Sequence, residues 1–188
     1  MIKYDLPTSV TVAGEDYAVR TEFRAILDII VALQDPDLTD EDRAAVALGI
    51  FYEDAIPADL QEALNRCFWF ISGGGEEKQS DKPAPRLVDW EKDFRWIASP
   101  ISHMLGHDLR AVKMHWWTFL SFYYEIGDCT FAQIVRIRSA KAQGKKLDKA
   151  DREWLRKNED LVYIEQKYSQ EEESLLEQWT KGGGINAE

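Results

Sequence analysis

Residues 109–126 read LRAVKMHWWTFLSFYYEI, the most apolar stretch of the chain. At helical spacing, Val112, Trp116, Phe119, Leu120 and Tyr123 fill one face, while Trp117, Phe122, Tyr124 and Ile126 fill most of the rest. A helix apolar around its circumference, and short of the ~20 residues that span a bilayer, belongs at the centre of a bundle. The stretch therefore predicts a mainly α fold, with residues 109–126 as its central helix.

Working upstream, residues 89–105 carry Trp90, Phe94, Ile97, Ile101 and Leu105 at helical spacing. Pro100 lies inside this pattern, so a kink or a split into two helices is expected there. Downstream, Asp128 or Thr130 is placed to cap a helix carrying Phe131, Ile134, Val135 and Ile137 and ending near Gly144. Asp148 is the expected N-cap of the next helix, which carries Trp154, Leu155, Leu161, Ile164 and Tyr168. That helix leads on to Leu175, Leu176 and Trp179 before Gly182-Gly183-Gly184 ends it.

The N-terminal half opens differently. In residues 8–20, Val10 and Val12 alternate with hydroxyl residues, Gly14-Glu15 supplies a turn, and Tyr17 and Val19 alternate on the return. This is a β-hairpin pattern, and two strands alone are marginal, so the hairpin must pack on helices. Phe23, Ile26, Leu27, Ile30 and Leu33 then mark a helix that stops at Asp35-Pro36. Thr39 caps a second helix, with Asp40, Glu41 and Asp42 favouring its positive end and a stripe through Val46, Leu48, Ile50 and Phe51. Pro57 suits the first turn of a third, which carries Leu60, Leu64, Cys67, Phe68 and Ile71 and ends at Gly73-Gly74-Gly75.

Together these readings give a single helical bundle-like domain with an N-terminal β-hairpin and a C-terminal helical arm. The hairpin and helical core occupy residues 1–145, with a charged, proline-bearing loop at 74–88. The arm follows at 146–181 and a flexible tail at 182–188.

Composition limits what the protein can do. Aromatic residues reach 12% of the 188 positions, seven of them tryptophan. Each buried ring is worth at most roughly 4–6 kcal/mol of transfer free energy before ordering costs, so a core needs neither disulfide nor metal. The two cysteines, Cys67 and Cys129, sit singly beside aromatic residues, as small buried hydrophobes do. Residues 1–14 lack the basic start and apolar run of a secretory signal, and no apolar stretch has membrane length, which predicts a soluble protein of a reducing cytosol.

The formal charge of −11 argues against nucleic acid as a partner. The charge is uneven, however. From Arg136 to Lys157 nine basic residues (Arg136, Arg138, Lys141, Lys145, Lys146, Lys149, Arg152, Arg156, Lys157) face three acidic ones, an excess of six positive charges that leaves −17 on the remainder. Two readings stand open: a solvated helical face, or a docking patch for an acidic surface.

No motif for catalysis emerges. His103 and His107 are four residues apart, but Gly106 between them and Pro100 before them make a shared helical face doubtful, and no His-Glu-x-x-His pattern exists. Gly73-Gly74-Gly75 runs into Glu76-Glu77, the wrong charge for a phosphate cradle. Gly144-Lys145-Lys146 is followed by Leu147 where a phosphate loop needs a hydroxyl. No catalytic residue, metal or cofactor is therefore expected. The aromatic clusters Trp116-Trp117 and residues 67–71 read first as core packing and second as the lining of a groove for a partner helix.

The order of several motifs is familiar. Thr21-Glu22-Phe23-Arg24 after the hairpin, Ile50-Phe51-Tyr52, Ile56-Pro57, Glu62-Ala63-Leu64 and Trp69-Phe70-Ile71-Ser72-Gly73-Gly74 come first. Asp93-Phe94-Arg95-Trp96-Ile97, Asp108-Leu109, His115-Trp116-Trp117-Thr118-Phe119 and Phe131-Ala132-Gln133-Ile134-Val135-Arg136-Ile137-Arg138 complete the set. In this order and spacing the chain resembles the bacteriophage gene product 15 family, over roughly the first 138 residues. The family reads as unbroken helix where Pro100 stands here.

The resemblance implies a tailed-phage or prophage protein encoded near the tape-measure gene, where tail assembly chaperones are common. The expected role is a chaperone that binds the tape-measure protein and/or the tail-tube protein in the host cytoplasm, with self-association also open. The alternative is a minor structural component of the tail or connector, and a small enzyme comes third. The expected partner contacts are Tyr168, Leu175, Leu176 and Trp179 on the arm, with Arg152, Arg156 and Lys157 in the basic run before them.

Overall fold

A computed structural model describes residues 5–75 and 85–164, and these fold as a mainly α protein with one N-terminal hairpin. Strand β1 (Ser9–Val12) pairs antiparallel with β2 (Glu15–Ala18), with Val10 opposite Tyr17 and Val12 opposite Glu15. That register makes Ala13-Gly14 the turn, one residue earlier than the sequence suggested. Both turn residues take positive φ, 50° and 84°, the twist that suits a two-residue hairpin loop. The Ala13 N–H donates to Glu62 Oε2 at 2.8 Å, which ties the turn to the third helix.

Three helices follow: α1 (Phe23–Leu33), α2 (Asp40–Phe51) and α3 (Leu60–Ile71). Phe23, Ile26, Leu27 and Ile29 bury the inner face of α1, and Thr39 caps α2 as its spacing predicts. The buried stripe of α2 is Ala47, Leu48 and Phe51, whereas Val46 is 36% exposed and Ile50 half-buried. Pro57 is buried but lies outside helix; α3 starts three residues later, where Asp59 accepts from the Glu62 N–H. Its buried positions are Ala63, Cys67 and Phe70, while Leu60 is exposed.

Helix α4 (Trp90–Leu105) is capped by the Asp89 side chain and runs unbroken through Pro100, so the expected split does not occur. Proline removes one backbone bond, but its φ suits a helix, and the buried Ile97 and Ile101 hold the turns on either side. Gly106 ends α4 in the left-handed conformation.

The stretch 109–126 is not one helix. It divides into a single 3-10 turn (Leu109–Ala111), an extended link, and the short helix α5 (Trp116–Tyr124). The link bridges α1's entry: the Phe23 N–H donates to Met114 O at 3.0 Å and the Trp116 N–H to Thr21 O at 2.6 Å. Backbone groups used this way cannot serve a helix. Helix α5 is also not apolar-buried all round, since Trp116, Phe119 and Leu120 face the core and Tyr124 is 73% exposed.

Helix α6 (Thr130–Ala142) begins after Cys129, which occupies the cap position without a side-chain bond, so neither Asp128 nor Thr130 caps it. Asp148 caps α7 (Lys149–Lys157) as expected, and α8 (Glu159–Val162) packs against α6 and α7. The described part of the C-terminal arm thus ends against the core at α6.

One aromatic core joins these elements. The Phe23 and Phe119 rings stack 4.9 Å apart, with Trp116 stacked on Phe119 at 5.4 Å and Phe51 tilted on Phe70 at 5.4 Å. Trp116 and Trp117 donate their indole N–H groups to Ile71 O and Phe70 O, at 2.8 and 2.9 Å. These carbonyls lie in the last turn of α3, where intrahelical donors run out, and Phe70 O also accepts from the Gly73 N–H at 3.1 Å. The Trp-Trp pair is a cap for another helix as well as packing.

Candidate partner-binding surfaces

The basic run is partly internal. The Arg138 side chain is 4% exposed and pairs with Asp93, 1% exposed, on α4. All five of its N–H donors are used: two on the Asp93 carboxylate, and one each on the carbonyls of Leu87, Leu161 and Val162. The Asp93 carboxylate also accepts from the Asp89 N–H at 2.9 Å. Arg136 makes a two-pronged pair with Asp151, at 2.6 and 2.7 Å, and Gln133 donates to the same carboxylate at 2.8 Å. These two arginines hold α6 to α4 and to the arm. Arg138 is withdrawn from any solvated face, whereas Arg136 stays 56% exposed with its charge matched by Asp151.

What remains on the surface is still basic. Lys141, Lys145, Lys146, Lys149, Arg152, Arg156 and Lys157 are all exposed, and among the described residues none of them forms an ion pair. Asp148 and Glu153 are the exposed carboxylates of this segment, leaving an excess of five positive charges. On α7 the period of 3.6 residues sets Lys149, Arg152, Arg156 and Lys157 outward, while Asp151 is buried and Trp154 and Leu155 are half-buried. Of the sequence-derived contact residues, Arg152, Arg156 and Lys157 therefore share one solvent face. Tyr168, Leu175, Leu176 and Trp179, like most of the 74–88 loop, lie outside the described residues.

Among the described residues, several concavities were not assigned from sequence, two of them lined largely by aromatic and aliphatic side chains. One, of about 400 Å³, runs between α1 and α4: Leu27, Val31, Trp90 and Phe94 line it, and Arg24, Asp28 and Glu91 edge it. Its signal was present as the outward flank of two helical stripes, but only the crossing of α1 on α4 makes it a groove. The other, of about 370 Å³, lies where Leu6, Gly73 and Ser72 meet Trp117, Leu120 and Tyr124 of α5. Leu6 and Tyr124 are both exposed at its edge.

His103 and His107 are exposed at the end of α4 and just after it, and the described residues contain no group of three or more potential metal ligands. His115 has a structural place instead. Its Nδ1 accepts from the Trp117 N–H at 3.0 Å, which leaves Nε2 protonated and donating to Pro7 O at 2.9 Å. One imidazole thus caps α5 and pins the segment before the hairpin. No helix among the described residues is long and apolar enough to cross a membrane.

Comparison with curated proteins and with solved structures finds no match. The family model described as Bacteriophage Gp15 protein matches residues 2–164, from before the hairpin to the end of α8. The match reaches past Arg138, where the sequence resemblance faded, and takes in Leu161 and Val162, the carbonyl partners of Arg138. With most of its length covered, the chain belongs to the bacteriophage Gp15 family.

Proposed function

We propose that this phage protein is a tail assembly chaperone, binding the tape-measure protein and/or the tail-tube protein in the host cytoplasm during virion assembly. The groove between α1 and α4 carries the reading. Its apolar lining and charged edge suit the apolar stripe of a partner helix, anchored at positions i, i+3 or i+4, and i+7. A long helical client exposes such stripes until a tube forms around it. The net charge of −11 keeps a chaperone–client complex dispersed while the stripe is covered.

Co-expression with the tape-measure protein of the same gene cluster, followed by affinity capture and a solubility assay, tests the proposal. Soluble co-purification that is lost on Val31→Arg, which places a charge on the groove lining, is the expected result. A client that stays insoluble and unbound defeats the chaperone reading. Mass spectrometry of purified virions then decides whether the protein is a fixed-stoichiometry component of the tail.

A further inference from the structure

We infer that the cationic solvent face of α7 docks a second copy of this chain, on the acidic corner between α1 and α2. Lys149, Arg152, Arg156 and Lys157 are exposed and form no ion pair among the described residues, although the chain as a whole carries −11. Salt screens exposed charges beyond a Debye length of about 8 Å at physiological ionic strength, so a surface that matches these cations must meet them at short range. The matching surface is on the same molecule. Residues 35–42 hold five carboxylates, of which Asp37, Asp40, Glu41 and Asp42 are exposed, against the single Arg43.

Within one chain the two surfaces are not paired: among the described residues no ion pair joins α7 to residues 35–42. Packing runs from α2 to α1, from α1 to α4, from α4 to α6, and from α6 through α8 to α7. The acidic corner and the cationic face stand at opposite ends of that series. A contact between them joins two copies head to tail, a heterologous interface that repeats into a ring or an open chain. A polyphosphate partner fits less well, because the −17 on the remainder of the chain repels it on approach. The inference does not use the groove between α1 and α4, whose lining residues belong to neither surface.

Sedimentation velocity of the full chain, at about 20 mM and about 0.5 M salt, reads the contact. Concentration-dependent assembly at low salt, weakened about tenfold or more at high salt, is expected. A triple variant, Arg152→Glu with Arg156→Glu and Lys157→Glu, is expected to stay monomeric, and so is Asp37→Lys with Glu41→Lys. Mixed in equal amounts, the two variants present only complementary pairs and should assemble again, which also shows that both are folded. A wild-type chain that stays monomeric at low salt overturns the inference. Assembly indifferent to both charge reversals overturns it too, as does low-salt capture of a labelled oligonucleotide without self-association.

Discussion

Arg138 on α6 and Asp93 on α4 form an ion pair closed to water on both sides, with the guanidinium's remaining donors on three backbone carbonyls. Buried pairs gain little over an apolar substitute, but breaking one from a single side strands a charge. Asp93→Ala is expected to cost about 3–5 kcal/mol, read as a lower midpoint in urea unfolding. Arg138→Met should cost as much, because it also strands the carbonyls of Leu87, Leu161 and Val162. The double variant should lose clearly less than the two singles combined; strict additivity would show that the pair is not coupled.

His115 caps α5 through Nδ1 and holds Pro7 through Nε2. Its replacement by alanine should lower stability by about 1 kcal/mol, up to about 2, as loss of a good N-cap does. His115→Ser restores the cap but not the reach to Pro7, so its thermal midpoint should fall between those of alanine and wild type.

Gly74 and Gly14 both have positive φ, 83° and 84°, yet differ in surroundings. A Cβ at Gly74 would stand 2.7 Å from Trp117 Cη2, whereas one at Gly14 meets nothing within 4 Å. Both alanine variants should carry the left-handed backbone strain of roughly 1–2 kcal/mol. Only Gly74→Ala should exceed it, with a change in tryptophan emission as Trp117 shifts. Equal losses would mean that the indole yields without cost.

Burial pushes the Cys67 thiol up to about 12 and does the same to the Tyr52 and Tyr123 hydroxyls. Each is an acid whose neutral form the fold favours, so the stabilisation is complete below the unfolded values of 9 for the thiol and 10 for the phenols. It is lost as pH rises through the folded value near 12. Denaturation midpoints should be flat up to about pH 9 and decline from there to about pH 12. At about pH 8, iodoacetamide should label the half-buried Cys129 well before Cys67, as mass spectrometry of the intact chain would show. Equal labelling would place Cys67 in contact with solvent.

Short-range signals were legible in the sequence. The hairpin strands, the α1 stripe and the caps at Thr39 and Asp148 depend on residues within one turn and stand where the pattern put them, with the hairpin turn one residue earlier than expected. The larger misreadings depended on partners far along the chain. Residues 109–126 look like one helix until Thr21 and Phe23 claim the backbone of the link. Arg138 looks like part of a charged face until Asp93, 45 positions away, is folded against it. The groove between α1 and α4 belongs to neither helix alone, so no single stretch could announce it. The cationic face of α7 was visible in outline, but only the burial of Asp151 and the pairing of Arg136 and Arg138 show which charges belong to it.

The clip that Arg138 makes on Leu161 and Val162, with Lys92 Nζ donating to Tyr163 O at 2.6 Å, has a mechanical consequence. Any tension applied beyond residue 164 reaches those bonds first, and through them α6 and α4. The helix α7, though nearer the pulled end than α6 along the chain, is bypassed. A client held by the last 24 residues would therefore tug on the centre of the fold instead of peeling its outermost helix away.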